Sequence, residues 1–148
     1  MKVYIGADHN GFQLRNQLIE HLRRSGYDVA DDGATRLDPN DDFPVFTLRV
    51  IKDMQTSKDS DPRGILICGS GQGMCMAANR FNGIRAALGY DRESARASRN
   101  DDNSNVLCLP SRVLKKDQAY VIVQTWLTTP FAGAARFTRR LKELDELR

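Results

Sequence analysis

Residues 64–68 read Gly-Ile-Leu-Ile-Cys, and Gly-Ser-Gly-Gln-Gly follows without a break. A strand with one wet face alternates polar and apolar residues. This run stays apolar, the pattern of a strand buried on both faces of a parallel sheet. The glycines then free the backbone for a turn into a helix. A cysteine at that junction is more than a turn requires, and it directs attention to what a thiol would do there.

The rest of the chain alternates in the same style. Residues 3–7, 27–30, 84–89 and 105–109 read as further strands. Phe12–Arg24 carries Phe12, Leu14, Leu18, Ile19 and Leu22 near helical spacing, and Gly26 stops it. Residues 33–42 form a polar loop, and Asp42 and Pro44 suit the start of a helix over 43–54. Helices are predicted over 71–80, 93–99 and 117–127. A last one, over 132–147, sets Phe137, Leu141 and Leu144 on one face. Strands alternating with helices predict an α/β fold: a Rossmann-like three-layer sandwich around a five-stranded parallel sheet. The final helix runs past the last strand, so it is predicted to extend to a partner subunit. The 148 residues suffice for one domain, 1–148, with a sizeable core.

Composition narrows the function classes. The net charge is +3 with acids and bases interspersed, and no basic block interleaves with aromatics, which argues against nucleic acid. The longest apolar runs fall short of a membrane span, and the N-terminus does not read as a signal peptide. Three cysteines without a CxxC pair point to free thiols and a cytoplasmic setting. Two histidines, His9 and His21, are too few for a zinc site.

In open parallel sheets ligands bind outside the carboxyl ends of the strands. Those ends carry Asp8–His9, Cys68–Gly69–Ser70, Tyr90–Asp91 and Pro110–Ser111–Arg112. Glycines 69, 71 and 73 let amide N–H groups approach a ligand, and a helix start favours negative charge, a thiolate included. A thiolate beside amides removes a proton from carbon while the amides hold the oxyanion. The plainer reading is a buried structural cysteine before a tight turn. A dinucleotide fingerprint fails because position 74 is Met; a cysteine phosphatase fails because no Arg closes the loop. Asp8 with His9 suits hydroxyl orientation and proton shuttling, against an Asp that merely caps a turn. Arg112, Arg136, Arg139 and Arg140 suit phosphate oxygens, against a solvated basic face. Asp101 and Asp102 sit in a polar turn that permits contacts to sugar hydroxyls.

With those residues in view, the sequence resembles the ribose-5-phosphate isomerase type B and galactose-6-phosphate isomerase family. The resemblance spans nearly the whole chain. It rests on GADHNG (6–11), DFP (42–44), GILICGSGQGM (64–74), AANRFNGIRAAL (77–88), SAR (94–96) and NVLCLPSRV (105–113). It implies a homodimer or a tetramer, no cofactor, and aldose–ketose isomerisation of a phosphorylated sugar in carbohydrate metabolism through an enediolate. Ribose 5-phosphate to ribulose 5-phosphate is the reaction expected. By position the resemblance makes Cys68 the base, with Ser70 beside it where the family has Thr. Amides over 69–73 would hold the enediolate oxygens. Asp8 and His9 would contact sugar hydroxyls and the ring oxygen, and Arg112 and Arg139 the phosphate. The site would straddle two subunits.

Three departures from the family bear on the substrate. Asp101–Asp102–Asn103 stands where the family commonly has His-Asn-Asp, whose His is the usual acid in ring opening. A carboxylic acid is already ionised at neutral pH. At 133–136 the chain reads Gly-Ala-Ala-Arg against Gly-Gly-Arg-His, which sets Ala135 at an arginine position and Arg136 at the histidine. The loop 38–42 is longer and more acidic. Two rival functions follow: isomerisation of a six-carbon or unusual pentose phosphate, and a sugar-phosphate-binding module without turnover.

Overall fold

The Arg63–Cys68 run is buried at every residue and forms the middle strand of a five-stranded parallel sheet. The structure is a computed structural model and describes residues 1–147. In chain order the elements are β1 (Lys2–Ala7), α1 (Phe12–Arg24), β2 (Asp28–Asp31), α2 (Phe43–Thr56), β3 (Arg63–Cys68), α3 (Gln72–Ala78), β4 (Ala86–Leu88), α4 (Arg92–Asn100), β5 (Val106–Pro110), α5 (Lys116–Thr128) and α6 (Ala135–Glu146). The order across the sheet is β2-β1-β3-β5-β4. The chain steps one way from β1 to β2 and the other way to β3. This reversal opens a crevice between the carboxyl ends of β1 and β3.

Period-two alternation in the strands divides the core. Val3, Ile5, Ile65, Ile67, Leu107 and Leu109 face α1 and α5, where Leu18, Leu22, Val123 and Trp126 are buried. Tyr4, Leu66, Cys68, Val106 and Cys108 face α2 and α3, against Phe46, Val50, Ile51 and Met74. Burying any one of these large side chains contributes roughly 1.5–3 kcal/mol.

Two predicted boundaries move for visible reasons. Strand β4 is three residues rather than 84–89, because the amide of Arg85 bonds the Asn105 side chain (2.8 Å) instead of a ladder carbonyl. Helix α6 begins at Ala135 rather than 132, since Ala132 N–H is taken by the carbonyl of Asn100 (3.0 Å). Helix α4 starts where the sequence caps it: Asp91 accepts from the Ser94 amide (2.7 Å) and Ser94 Oγ accepts from the Asp91 amide (3.2 Å). No described helix is long and apolar enough to cross a membrane.

Candidate active site

The carboxyl edge of the sheet is tied together by its own hydrogen bonds. The Asp8 amide donates to the carbonyl of Ile67 (3.2 Å), carrying the β1–β3 pairing one residue past the strands. The amides of Ser111 and Arg112 donate to the carbonyls of Cys68 (2.9 Å) and Gly69 (3.0 Å). The Ser111 hydroxyl lies 3.0 Å from the Cys68 carbonyl and 2.9 Å from that of Asn10, so one side chain joins the loops after β1, β3 and β5.

Cys68 is the last residue of β3, and its side chain is on the α2/α3 side at 5% exposure. Its Sγ accepts the Gly71 N–H at 3.1 Å. Gly71 has φ +74°, and a Cβ there would lie 2.5 Å from Leu88 Cδ1 and 3.2 Å from the Leu109 carbonyl carbon. Both the backbone conformation and the space therefore require glycine, and the turn that results aims an amide at the sulfur. Gly69 lies under the Arg112 guanidinium, since a Cβ would meet Nε at 2.8 Å, so the exposed arginine crosses directly over the loop. Ser70 is exposed and its Oγ accepts the Gln72 amide (3.3 Å). The Phe43 ring, from the start of α2, packs on Gly73.

Asp8 is buried, and its Oδ1 accepts the amides of Asn10 (2.9 Å) and Gly11 (3.2 Å), which shapes the turn into α1. His9 is gripped by a residue the sequence did not single out. Asp41 Oδ1 accepts from the His9 backbone amide (2.9 Å) and lies 2.7 Å from Nδ1, while the Asn10 side-chain Nδ2 lies 3.1 Å from Nε2. The Asp41 hydrogen bond, reinforced by the charges of Asp8 and Asp41, raises the imidazole above its ordinary value of 6.5. At the neighbouring end of β2, burial and then the Asp53 charge push the Asp32 carboxyl up to about 7.

The other predicted residues are at the opposite edge. Helix α4 leaves β4 at its carboxyl end and returns the chain to the amino end of β5. Asp101 and Asp102, just past α4, therefore lie at the amino edge, a strand's length (about 16–20 Å) from Cys68. Helix α6 runs along this edge. Arg85 Nη1 lies 3.7 Å from Asp145 and its Nε donates to the Asn103 carbonyl (3.1 Å), a structural tie. Partial burial and Asp101 push the Asp102 carboxyl up, opposed by the charge of Arg140. Arg139 is engaged with Glu143 (3.7 Å), and the Arg136 guanidinium lies over the Phe137 ring (4.6 Å). Arg140, outside the narrower phosphate set, thus joins the amino-edge group. A broad hollow of ≈ 1030 Å³ opens here, lined by Met76, Arg85, Asp102, Leu144 and Asp145 among others. Phe137 is the buried residue of α6, whereas Leu144 is 49% and Met76 69% exposed.

One chain thus brings together Asp8, His9, Cys68, Gly69, Ser70, Gly71, Gly73 and Arg112, and holds Asp101, Asp102, Arg136 and Arg139 apart from them. Among the described residues, no three His, Cys, Asp or Glu side chains gather as a metal site.

A family model for Ribose/Galactose Isomerase matches residues 3–144. The chain is 41% identical over 142 residues to the probable ribose-5-phosphate isomerase B of Mycoplasma pneumoniae, covering 96% of this chain and 91% of that protein. It is 38% identical to the ribose-5-phosphate isomerase B of Mycolicibacterium paratuberculosis, covering 99% and 91%. Among solved structures, the Clostridium thermocellum ribose-5-phosphate isomerase B superimposes with a TM-score of 0.92 at 38% identity, over 99% and 96% of the two chains. The Mycoplasma genitalium isomerase B with bound ribulose-5-phosphate gives 0.90 at 39%, over 97% and 93%.

Proposed function

The chain belongs to the ribose/galactose isomerase family, and from that premise we propose that it interconverts D-ribose 5-phosphate and D-ribulose 5-phosphate with Cys68 as the base. The observation that carries the reading is the Cys68 sulfur, held at the β1/β3 crevice with the Gly71 amide donating to it. The Gly71 N–H fixes where the sulfur sits, and the thiolate is the form that takes a proton from carbon. In the open-chain aldehyde, the thiolate removes the C2 proton and the electrons move onto the C1 oxygen. Amides of the 69–73 loop hold the enediolate, and the Ser70 hydroxyl moves a proton between O1 and O2. Return of the proton from sulfur to C1 completes the ketose. An oriented donor at a developing oxyanion is worth about 3–4 kcal/mol of barrier.

The working unit in this reading is a homodimer. One copy supplies the carboxyl edge with Arg112. The other supplies Asp101 and Asp102 toward the sugar, and Arg136, Arg139 and Arg140 toward the phosphate. The apolar surface left open along α6 and beside Met76 supports such a partner. The test is turnover of ribose 5-phosphate in deuterated water, with galactose 6-phosphate alongside. Deuterium appearing at C1 of ribulose 5-phosphate is the expected result. Turnover retained by Cys68→Ala overturns the assignment of the base.

A further inference from the structure

A furanose must open before any carbon proton becomes acidic, and opening needs a group that gives a proton to the ring oxygen. At the carboxyl edge Cys68 is committed as base, and the bonded Asp8 oxygen accepts two amides. Of the two histidines, His21 stacks on Tyr120 at 4.0 Å, on α1, and His9 stands in the crevice loop. Asp41 fixes His9 at two points, the backbone amide and Nδ1. Donating the Nδ1 proton to Asp41 leaves Nε2 as the nitrogen that exchanges its own; it faces the Asn10 side-chain amide at 3.1 Å, whose NH2 donates to the neutral ring and whose oxygen, with the amide turned over, accepts from the imidazolium.

Resting on the isomerase reading, we infer that Asp41 is a positioning residue and His9 a catalytic one: the clamped imidazolium donates its Nε2 proton to the ring oxygen of the cyclic sugar phosphate. The C1–O4 bond breaks with its electron pair going to O4, which takes that proton. The anomeric hydroxyl releases its proton to water, C1 becomes the aldehyde carbon, and water reprotonates His9. The charged groups acting on His9 among the described residues are Asp41, from the segment leading into α2, and Asp8, from the end of β1. Both favour the imidazolium, and the Asp41 hydrogen bond outweighs desolvation.

Ribulose 5-phosphate provides the discriminating substrate. Its C5 oxygen carries the phosphate, so no hydroxyl is placed to close a five-membered ring on C2, and hydrogen exchange at its C1 needs no ring opening. The experiment compares wild type with Asp41→Asn in three readouts: the NMR titration of His9, isomerisation from ribose 5-phosphate against pH, and solvent deuterium exchange into ribulose 5-phosphate. His9 is expected to titrate above 6.5 in the wild type and lower in the variant. Since the acid must carry its proton, the alkaline fall of ribose 5-phosphate turnover moves to lower pH. Above neutrality the variant loses at least about tenfold more in isomerisation than in exchange, part of the roughly 10²–10⁴-fold that a general acid contributes. Equal losses in both reactions, or an unmoved His9 titration, overturn the proposal. Absence of turnover and exchange in the wild type sinks the isomerase reading instead, and the titration still decides whether Asp41 clamps a protonated His9.

Discussion

The two edges of one sheet are built differently. At the carboxyl edge, Ser111, Asp8, Asp41 and the Gly71 amide each find a partner within the chain, and the loops arrive already placed. At the amino edge, a wide hollow lies between β4 and an α6 that buries chiefly Phe137, and Leu144 and Met76 stay exposed. Groups that do chemistry need fixed geometry, and a chain fixes it best with its own hydrogen bonds. Groups that recognise a charged end can arrive from elsewhere, provided the assembly delivers them. The difference predicts that damage at the first edge strikes rate, and damage at the second strikes binding.

The largest effect tests both halves of that statement. Cys68→Ala is expected to lower kcat by about a thousandfold with substrate binding little changed, whereas Arg136→Ala with Arg140→Ala is expected to raise KM by about a hundredfold or more, the loss of two charge-assisted hydrogen bonds. Steady-state kinetics on the two variants reads the split directly. Comparable changes in kcat and KM for both would erase the distinction between the edges.

A smaller effect probes how the carboxyl edge is built. Gly71→Ala puts a side chain into a left-handed turn and against Leu88. It is expected to destabilise by about 1–3 kcal/mol and to lower kcat by displacing the amide from sulfur. Urea denaturation and kinetics check it together. Alanine at the exposed Gly133, also at positive φ (+63°) but with open space around it, should cost about 1 kcal/mol and leave kcat alone.

The smallest effect concerns Asp32, beside the crevice. Its native carboxyl is raised to about 7 against 3.8 unfolded, so the folded protein binds that proton more tightly. The contribution to stability is present in full below about pH 4 and is lost as pH rises through 7. Asp32→Asn keeps the neutral form at every pH. Its melting temperature relative to wild type should therefore rise by a few degrees between pH 5 and pH 8. A pH-independent difference would place Asp32 among ordinary solvated carboxylates.

Much of this was legible in the residues. The unbroken apolar run into Cys68 announced a doubly covered central strand, and GSGQG announced the turn after it. Helical spacing located α1 to within its observed ends. What stayed hidden was tertiary. Asp41 is 32 residues from His9, in a loop with three aspartates among five positions, and nothing local marks the one that folds back. Ser111 bridges three loops through contacts up to 101 residues apart. The distance between Asp101 and Cys68 follows from strand direction, which only the completed topology reveals. Arg140 sits four residues after Arg136, one helical turn on, but its proximity to Asp102 depends on the packing of α6.

Mixing tests the division of labour between the two edges most directly. Cys68→Ala and the Arg136→Ala/Arg140→Ala double variant are each expected to be nearly inactive at low substrate. Unfolded together and refolded, half of the randomly paired dimers are hybrids, each with one whole site and one doubly damaged site. Activity should return to roughly a quarter of wild type. No recovery, with hybrids shown to form, would mean that each chain completes its own site and that the two edges do not serve separate subunits.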